Sequence, residues 1–197
     1  MNSDAPTPDA PAAKAPNPLV LERLSADSAG DRARVLRLLE SDPGYSPRTT
    51  GNAPGPDDAR AILRDLPPGL AADRKTDLGL CAAPGGELIA LADVLWGWPE
   101  PGTAHIGLLM VAGHASGRGN GRILHERIVE LARRRTAAHR NQAIDCLRLA
   151  IVDSNAAVAR PFWEALGYRP TGESRPYRAG SVISRSTIWT LPVTASA

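Results

Sequence analysis

The sequence has few cysteines and little net charge, and each shortage argues against a class of protein. Its two cysteines among 197 residues, Cys81 and Cys146, have no metal-type neighbour at short spacing and are too few for a disulfide framework. We therefore expect no metal site, and two buried thiols in strands of a cytoplasmic protein. The net charge of +2 is too small to favour nucleic acid as a partner.

Long apolar runs are also missing. No stretch approaches the ~20 apolar residues of a membrane helix, and the first residues lack the basic start and apolar run of a secretory signal. We therefore expect no membrane partner. Residues 1–18 are dominated by proline and alanine and are predicted to be a disordered leader, followed by a single domain over residues 19–197.

From residue 19 onward, strand-like and helix-like patterns follow one another. The predicted order is a strand, two helices, three strands, a helix, a strand, a helix and two strands. Short turns between the three middle strands predict antiparallel pairing, whereas the apolar run 146–152 is typical of a buried parallel strand. Residues 45–55, rich in Pro, Gly, Thr and Asn, are predicted to be a loop. This order predicts a mixed α/β domain with helices on both faces of one sheet.

The most informative segment is a glycine-rich turn between the third middle strand and a helix. Residues 113–121 read GHASGRGNG, and glycines at 117, 119 and 121 permit positive φ and close backbone approach. Exposed N–H groups at the start of the next helix can bind a phosphate. The spacing argues against a dinucleotide site, and the missing Gly-Lys-Ser/Thr argues against a P-loop. A purely structural turn remains an alternative.

Two segments carry a resemblance to a known family. Ser116-Gly-Arg-Gly-Asn-Gly121 resembles the GNAT superfamily signature Arg/Gln-x-x-Gly-x-Gly/Ala, with Ser116 in place of Arg or Gln. Residues 155–173 resemble the family's later segment Asn…Phe-Tyr-x-x-x-Gly-Phe. The resemblance spans roughly residues 19–191, with specific motifs in 108–173. It implies a GNAT-like α/β fold, with a central mixed, mostly antiparallel sheet of about seven strands and helices on both faces.

The resemblance also implies a reaction. A GNAT-type N-acetyltransferase transfers an acetyl group from acetyl-CoA to a primary amine by direct attack in a ternary complex. In the family the glycine turn holds the pyrophosphate, and the splayed fourth strand pairs its backbone with the pantetheine arm. The residues thus assigned to acetyl-CoA are Leu109, Met110, Val111, Ser116, Gly117, Arg118, Gly119, Asn120, Gly121, Arg122, Asn155, Phe162 and Trp163.

Two of these assignments have alternatives. Asn155 would contact the arm near its thiol, or would simply cap the following helix. Trp163 stands where many relatives carry a tyrosine that protonates the leaving thiolate, and an indole N–H cannot act as an acid at neutral pH. Trp163 therefore packs beside the acyl chain or belongs to the core. Solvent could protonate the thiolate, and Tyr168 and Tyr177 are the side chains that could also reach it.

A base must take the proton of the attacking amine, and Asp93 and His105 are the candidates. Asp93 interrupts an apolar strand, where a buried acid must be paired or functional. His105 is the weaker candidate. The other histidines, His114, His125 and His139, are predicted to be loop or helix-surface residues. Recognition of the acceptor would belong to the variable segments 45–55, 66–70 and 96–98.

The acceptor itself is expected to be a small-molecule or peptide amine. The resemblance leaves a homodimer open, since dimers are common among relatives. An alternative function is a catalytically weak or inactive acyl-CoA-binding sensor of the same fold, favoured by Ser116 and Trp163 at the departures from the family pattern. A nucleic-acid-binding or scaffold protein is disfavoured by the near-neutral charge.

Overall fold

The computed structural model describes residues 19–138 and 143–193 and contains a seven-stranded sheet. The strands are β1 (Val20–Arg23), β2 (Lys75–Cys81), β3 (Leu88–Trp96), β4 (Thr103–Val111), β5 (Cys146–Val152), β6 (Arg169–Ala179) and β7 (Val182–Pro192). Their order across the sheet is β1-β2-β3-β4-β5-β7-β6. Neighbours are antiparallel except β4 and β5, which are parallel. The predicted mixed, mostly antiparallel sheet is confirmed; the predicted leader lies outside the described residues.

The helices are α1 (Ala29–Ser41), α2 (Tyr45–Thr49), α3 (Pro56–Arg64), α4 (Asn120–Ala138) and α5 (Ala156–Ala165). The predicted loop over 45–55 is wrong in its first half, where α2 forms. A helix of five residues is too short to show a hydrophobic period, and Pro47 lies in its first turn, where a missing N–H costs no hydrogen bond. Helix α1 begins after Ser28, whose hydroxyl accepts a hydrogen bond from the N–H of Asp31 (3.1 Å) and caps the helix.

Helices cover both faces of the sheet, as predicted. On one face α4 packs its buried residues Leu124, Ile128 and Ala132 on alternate residues of β3 and β4. On the opposite face α1 and α3 bury Val35, Leu38, Leu39, Ala59 and Leu63. Side chains of a strand alternate between the two faces, so each middle strand contributes to both cores.

Strands β4 and β5 pair along only part of their length. The parallel register joins residues 103–106 of β4 to residues 146–149 of β5. Beyond Ile106 and Leu149 the two strands separate, while β4 continues to pair with β3 as far as Val111. The separation that the resemblance implies for the fourth and fifth strands is therefore present.

Both cysteines are free and lie in strands, at the end of β2 and the start of β5. Cys81 is fully buried, as predicted, whereas Cys146 is only half-buried. In residues 19–138 and 143–193 no three His, Cys, Asp or Glu side chains gather in an arrangement that could hold a metal ion. No helix within those ranges has both the length and the apolar character that crossing a bilayer requires.

Candidate functional site

The space between the separated ends of β4 and β5 is a cleft of about 210 Å³. Its walls are formed by both strands, by Trp163 and Asn155 at α5, by Tyr45 and Thr49 of α2, and by Tyr177 of β6. Strand edges that have separated leave backbone N–H and C=O groups without a ladder partner, and such groups need water or a ligand. The cleft therefore suits an extended molecule that carries amides.

Leu109 lines this cleft, and Met110 and Val111 continue β4 beyond it. Leu109, Met110 and Val111 pair with Ala92, Leu91 and Ala90 of β3, so their other edge is the one left by β5. Met110 is buried in the α1 core, whereas Leu109 and Val111 pack partly against the α4 core. Along the cleft, β4 therefore contributes chiefly backbone N–H and C=O groups for a ligand to bind.

The glycine turn leads from β4 into α4. Gly117 and Gly119 have φ of +73° and +81°, and a β-carbon at either position would meet nothing within 4 Å. Their requirement is conformational, because other residues rarely adopt positive φ. Gly121 is different: a β-carbon there would lie 3.0 Å from the Phe162 ring. It lets α4 begin close against α5.

Helix α4 begins at Asn120, and the Gly119 carbonyl accepts its first hydrogen bond, from the N–H of Ile123 (3.0 Å). The N–H groups of the first turn have no partner within the helix, and the helix dipole makes this end favourable for an anion. Residues 116–119 are exposed. The turn therefore presents exposed backbone at a helix start, as an anion site requires.

Side chains of the turn have unequal roles. Arg118 is exposed, so its guanidinium can screen a bound anion. The Asn120 amide donates to the Ala115 carbonyl (2.9 Å) and closes the turn. Arg122 donates to the Ala165 carbonyl at the end of α5 (3.3 Å), although its side chain remains exposed. The anion-binding potential lies mainly in the backbone and Arg118.

Asn155 occupies the N-cap position of α5, as the alternative prediction had it, but its side chain makes no capping hydrogen bond there. Its Oδ1 accepts a hydrogen bond from Arg48 Nε of α2 (2.8 Å), and the neighbouring Ser154 hydroxyl donates to the Arg48 carbonyl (2.6 Å). These two hydrogen bonds hold α2 against the start of α5, beside the cleft. The sequence could not reveal them, since the partners are more than 100 residues apart along the chain.

The aromatic residues near α5 divide between core and cleft. Trp163 is 7% exposed, lies edge-on to Phe162 and Tyr168, and also lines the cleft, so it belongs to the core, and its packing beside an acyl chain stays a prediction. Tyr168 is fully buried with its hydroxyl 3.1 Å from His125 Nε2, so it does not reach the cleft. Tyr177 does reach it, and its hydroxyl donates to the Thr49 carbonyl (3.1 Å).

A second cavity of about 240 Å³ adjoins the cleft on the α1 and α3 side of the sheet. The two share Tyr45, Thr49, Gly107, Leu108 and Tyr177. The second cavity adds polar and apolar side chains from α2, α3 and β3, including Ser46, Thr50, Asp58, Ile62 and Asp93. We call it the acceptor cavity. It lies where an amine could approach whatever occupies the cleft.

The segments predicted to recognise the acceptor are only partly found there. Residues 45–50 line the acceptor cavity, but 66–70 and 96–98 line neither it nor the cleft. Trp96 is buried in the α4 core, where its indole N–H donates to the Thr76 hydroxyl (2.9 Å). Trp98 packs edge-on to His105. These two tryptophans therefore do not wall the site.

Asp93 lies at the boundary between the cavity and the protein interior. Its carboxylate is 2.8 Å from Lys75 Nζ, and the same ammonium is 3.4 Å from Asp77 of the neighbouring strand. Burial raises the pKa of Asp93, an effect that the Lys75 charge opposes. An acid with a raised pKa beside a cavity is suited to exchange a proton there.

His105 is placed differently. In the register between β3 and β4, His105 lies opposite Leu95, whereas Asp93 lies opposite Leu108, further along β4. His105 lines neither the cleft nor the acceptor cavity. Its Nδ1 accepts a hydrogen bond from Arg148 Nη1 (3.0 Å). Burial, with the Arg148 charge adding to it, lowers the pKa of His105 to about 3. The structure does not bring the two candidate bases together, and we do not retain His105 as a base.

The other histidines lie away from the cleft. His114 is exposed in a short turn, as predicted, and His139 lies outside the described residues. The prediction for His125 is wrong, because it is 4% exposed and its ring contacts Tyr168. Burial lowers the pKa of His125 to about 4. The surface position was predicted because His125 is a polar residue on a helix whose neighbouring apolar residues were expected to form the buried face.

Comparison with known proteins agrees with this geometry. Residues 46–168 match the model of the "Acetyltransferase (GNAT) family". No curated protein matches the chain. Among solved structures, the fold is similar to an acetyltransferase from Thermus thermophilus (22% identity, TM-score 0.62, covering 88% of this chain and 96% of that one). It is also similar to the ribosomal-protein-S18-alanine N-acetyltransferase of Escherichia coli (17% identity, TM-score 0.60, covering 91% and 96%). The family model spans more than half of the sequence, and the chain therefore belongs to the GNAT acetyltransferase family.

Proposed function

We propose that this protein transfers an acetyl group from acetyl-CoA to a primary amine. The observation that carries the proposal is the arrangement of three features: the cleft between β4 and β5, the acceptor cavity that shares residues with it and contains Asp93, and the glycine turn that follows β4 in the chain and leads into α4. A long thioester laid along the cleft would have its phosphates at the turn and its acyl carbon near that cavity.

Acetyl-CoA would supply an activated acyl group, and this chain would supply its position. The backbone N–H groups of residues 117–121 and the Arg118 guanidinium would hold the pyrophosphate. The unpaired edge of residues 109–111 would hydrogen-bond the amides of the pantetheine arm. Phe162 and Trp163 would flank the arm near its thiol end, where Trp163 lines the cleft.

The amine must lose a proton before it attacks. For an amine with a pKa near 10.4, deprotonation at pH 7 costs about 4–5 kcal/mol. Two carboxylates line the acceptor cavity, the exposed Asp58 and the mostly buried Asp93, and we assign Asp93, whose pKa burial raises, as the acceptor of that proton. The N–C bond then forms as the C–S bond breaks, and the electron pair of that bond remains on sulfur.

The leaving thiolate needs a proton or solvent. Trp163 cannot supply a proton, but Tyr177 lines both the cleft and the acceptor cavity. Its hydroxyl proton, which is donated to the Thr49 carbonyl in this structure, would turn to the thiolate. Burial raises the pKa of Tyr177, so the phenol is protonated at neutral pH. We assign Tyr177 as the residue that protonates the thiolate or holds it until solvent does.

A second candidate function is an acyl-CoA-binding sensor that transfers nothing. Ser116 and Trp163 favour it, because they replace an Arg or Gln and a tyrosine of the family pattern. Thiol release separates the two functions: the protein is mixed with acetyl-CoA and primary aliphatic amines, and free thiol is followed over time. Amine-dependent release that Asp93→Asn abolishes supports transfer. Tight binding of acetyl-CoA without any amine-dependent release supports the sensor.

A further inference from the structure

Two carboxylates and one ammonium are buried together beside the acceptor cavity. Asp77 of β2 lies directly opposite Asp93 of β3 in the antiparallel register. The side chains of Lys75, Asp77 and Asp93 are 6%, 7% and 15% exposed. Within the part of the chain that the structure describes, Lys75 is the only cationic side chain within 4.0 Å of either carboxylate. We call these three residues the triad.

The triad has two carboxylates but only one ammonium, so its net charge is negative when both carboxylates are ionised. Like charges directly opposite on neighbouring strands repel, and a buried negative charge without a partner is costly. Two ionised carboxylates sharing Lys75 would leave such a charge. The triad must therefore keep a proton or bind a further cation. The raised pKa of Asp77, brought to about 7 by burial and by the Asp93 charge against the opposing effect of Lys75, agrees with a retained proton.

The triad also joins two cavities. Asp93 lines the acceptor cavity. Lys75 and Asp77 line a third cavity of about 380 Å³, whose lining also includes Arg23, Asp27 and Arg64. A proton that enters the triad at Asp93 can therefore leave it at Asp77, into the third cavity.

We propose that Asp77 is a positioning residue for Asp93: the carboxylate pair binds the ammonium form of the acceptor in place of its shared proton, and then takes up the proton that the amine releases. This inference rests on the proposed function. The acceptor class is accordingly an aliphatic amine that arrives as a cation. Aromatic amines and hydroxyl compounds, which are neutral at pH 7, lack the charge that the triad requires.

The proton transfer balances. The ammonium gives a proton to the Asp93 carboxylate, and the neutral amine attacks the acyl carbon. Asp93 then passes the proton to Lys75 as Lys75 passes one of its own to Asp77, so the charge of Lys75 is unchanged. The earlier shared proton left through Asp77 to water in the third cavity when the ammonium bound, so the proton that Asp77 now holds restores the first state of the triad.

Other charged and titratable groups surround the triad without contacting it. On the acceptor side they are Asp58, Tyr45 and Tyr177. On the side of the third cavity they are Arg23, Asp27 and Arg64. His105, further along β4, faces Arg148 instead. Their effects are held constant when only triad residues are changed.

The first test follows the aspartate carboxyl carbons of the full chain by ¹³C NMR from pH 4 to 9. We expect Asp77 and Asp93 to share one proton that is lost near neutral pH. Asp93→Asn should move the Asp77 midpoint about one pH unit or more downward, because it removes a like charge. Methylammonium, the probe for the acceptor's ammonium, should displace the proton and also lower the midpoint. Asp73→Asn, in the exposed turn before β2, is the control.

The same titration can also overturn the proposal. If both carboxylates titrate independently below pH 5, and Asp93→Asn or methylammonium leaves the Asp77 midpoint unmoved, the shared proton does not exist and the proposal is wrong. This titration needs no acyl transfer. A failure of the proposed function, seen as absent binding of acetyl-CoA, is therefore distinguishable from a failure of the triad.

The second test uses an amine that supports thiol release. Asp77→Asn should lower kcat about tenfold or more and move the acid limb of the pH–rate profile, with the Kd for acetyl-CoA unchanged. Asp77→Glu, which restores a carboxylate, should recover part of the rate. If Asp77→Asn changes only the melting temperature and leaves the pH–rate profile in place, Asp77 is merely structural and the inference is overturned.

Discussion

Asp93 lies over Gly107: a β-carbon at position 107 would come within 2.8 Å of Asp93 Oδ2. The two residues lie on neighbouring strands at an irregularity in the β3–β4 register, which shifts between Asp93 and Val94. Both line the acceptor cavity. The missing side chain at 107 therefore leaves room for the carboxylate that we assign as the base.

Gly107→Ala should move this carboxylate. Because the clash is with the end of a side chain, we expect the fold to survive and the Asp93–Lys75 ion pair (2.8 Å) to be disturbed. Amine-dependent thiol release should fall about tenfold or more, while the Kd for acetyl-CoA changes little. Gly30→Ala in α1, where a β-carbon meets only the Ser28 hydroxyl at 3.7 Å, is the control. An unchanged rate for Gly107→Ala would count against the position assigned to Asp93.

A matched pair of variants tests the glycine turn. Asn and Asp tolerate positive φ better than other residues and have nearly the same shape. Gly119→Asn should therefore measure the cost of losing glycine, and Gly119→Asp should add only a negative charge. We expect Gly119→Asp to weaken acetyl-CoA binding about tenfold more than Gly119→Asn at low salt, with the difference shrinking as ionic strength rises. Equal affinities for the two variants would contradict an anion site at this turn.

The contact between Asn155 and Arg48 tests the role of α2. Asn155→Ala removes the hydrogen bond that fastens α2 beside the cleft, at a cost of about 0.5–1.5 kcal/mol of unfolding free energy. Since Ser46 of α2 lines the acceptor cavity but not the cleft, the KM for the amine should rise more than the Kd for acetyl-CoA. Asn155→Asp, which still accepts from Arg48, should behave like the native protein. A larger effect on acetyl-CoA than on the amine would assign Asn155 to the donor instead.

Two buried histidines should make the protein sensitive to acid. Their pKa values are lowered to about 3 (His105) and about 4 (His125), whereas an unfolded histidine titrates near 6.5. Below pH 6.5 the unfolded chain binds protons that the folded chain does not, so the stability from these groups is present above pH 6.5 and is lost as pH falls.

The slope can be measured by urea unfolding between pH 6 and pH 4. Each of the two histidines should contribute up to about 1.4 kcal/mol per pH unit to the loss of unfolding free energy. His105→Gln keeps an acceptor for Arg148 and should reduce the slope by the share of one group. His114→Gln, at an exposed position, is the control. A slope that His105→Gln leaves unchanged would mean that His105 binds its proton in the folded protein.

Much of the fold could be predicted because its signals are local. Short turns indicated the antiparallel middle strands, the apolar run 146–152 indicated the parallel strand, and glycines indicated the turn before α4. These features depend on residues that are neighbours in the sequence. Helix α2 was missed because five residues give no periodicity.

The candidate site could be predicted only where one segment contains it. The glycine turn met that condition, and Asp93 was visible as an acid within an apolar strand. The triad and the link between Asn155 and Arg48 were not visible, because each joins strands or helices that are distant in the chain. His105 was misjudged for the same reason: its hydrogen-bond partner, Arg148, is 43 residues away.

Calorimetric titration of the full chain with acetyl-CoA, with CoA and NAD as parallel ligands, tests the central claim most directly. We expect acetyl-CoA and CoA to bind with a Kd on the order of micromolar, equivalent to about −8 kcal/mol, and NAD to bind far more weakly. Gly119→Asp should remove most of that affinity. If acetyl-CoA and CoA do not bind, or bind no better than NAD, the glycine turn and the β4–β5 cleft are not an acetyl-CoA site, and the proposed transfer reaction is wrong.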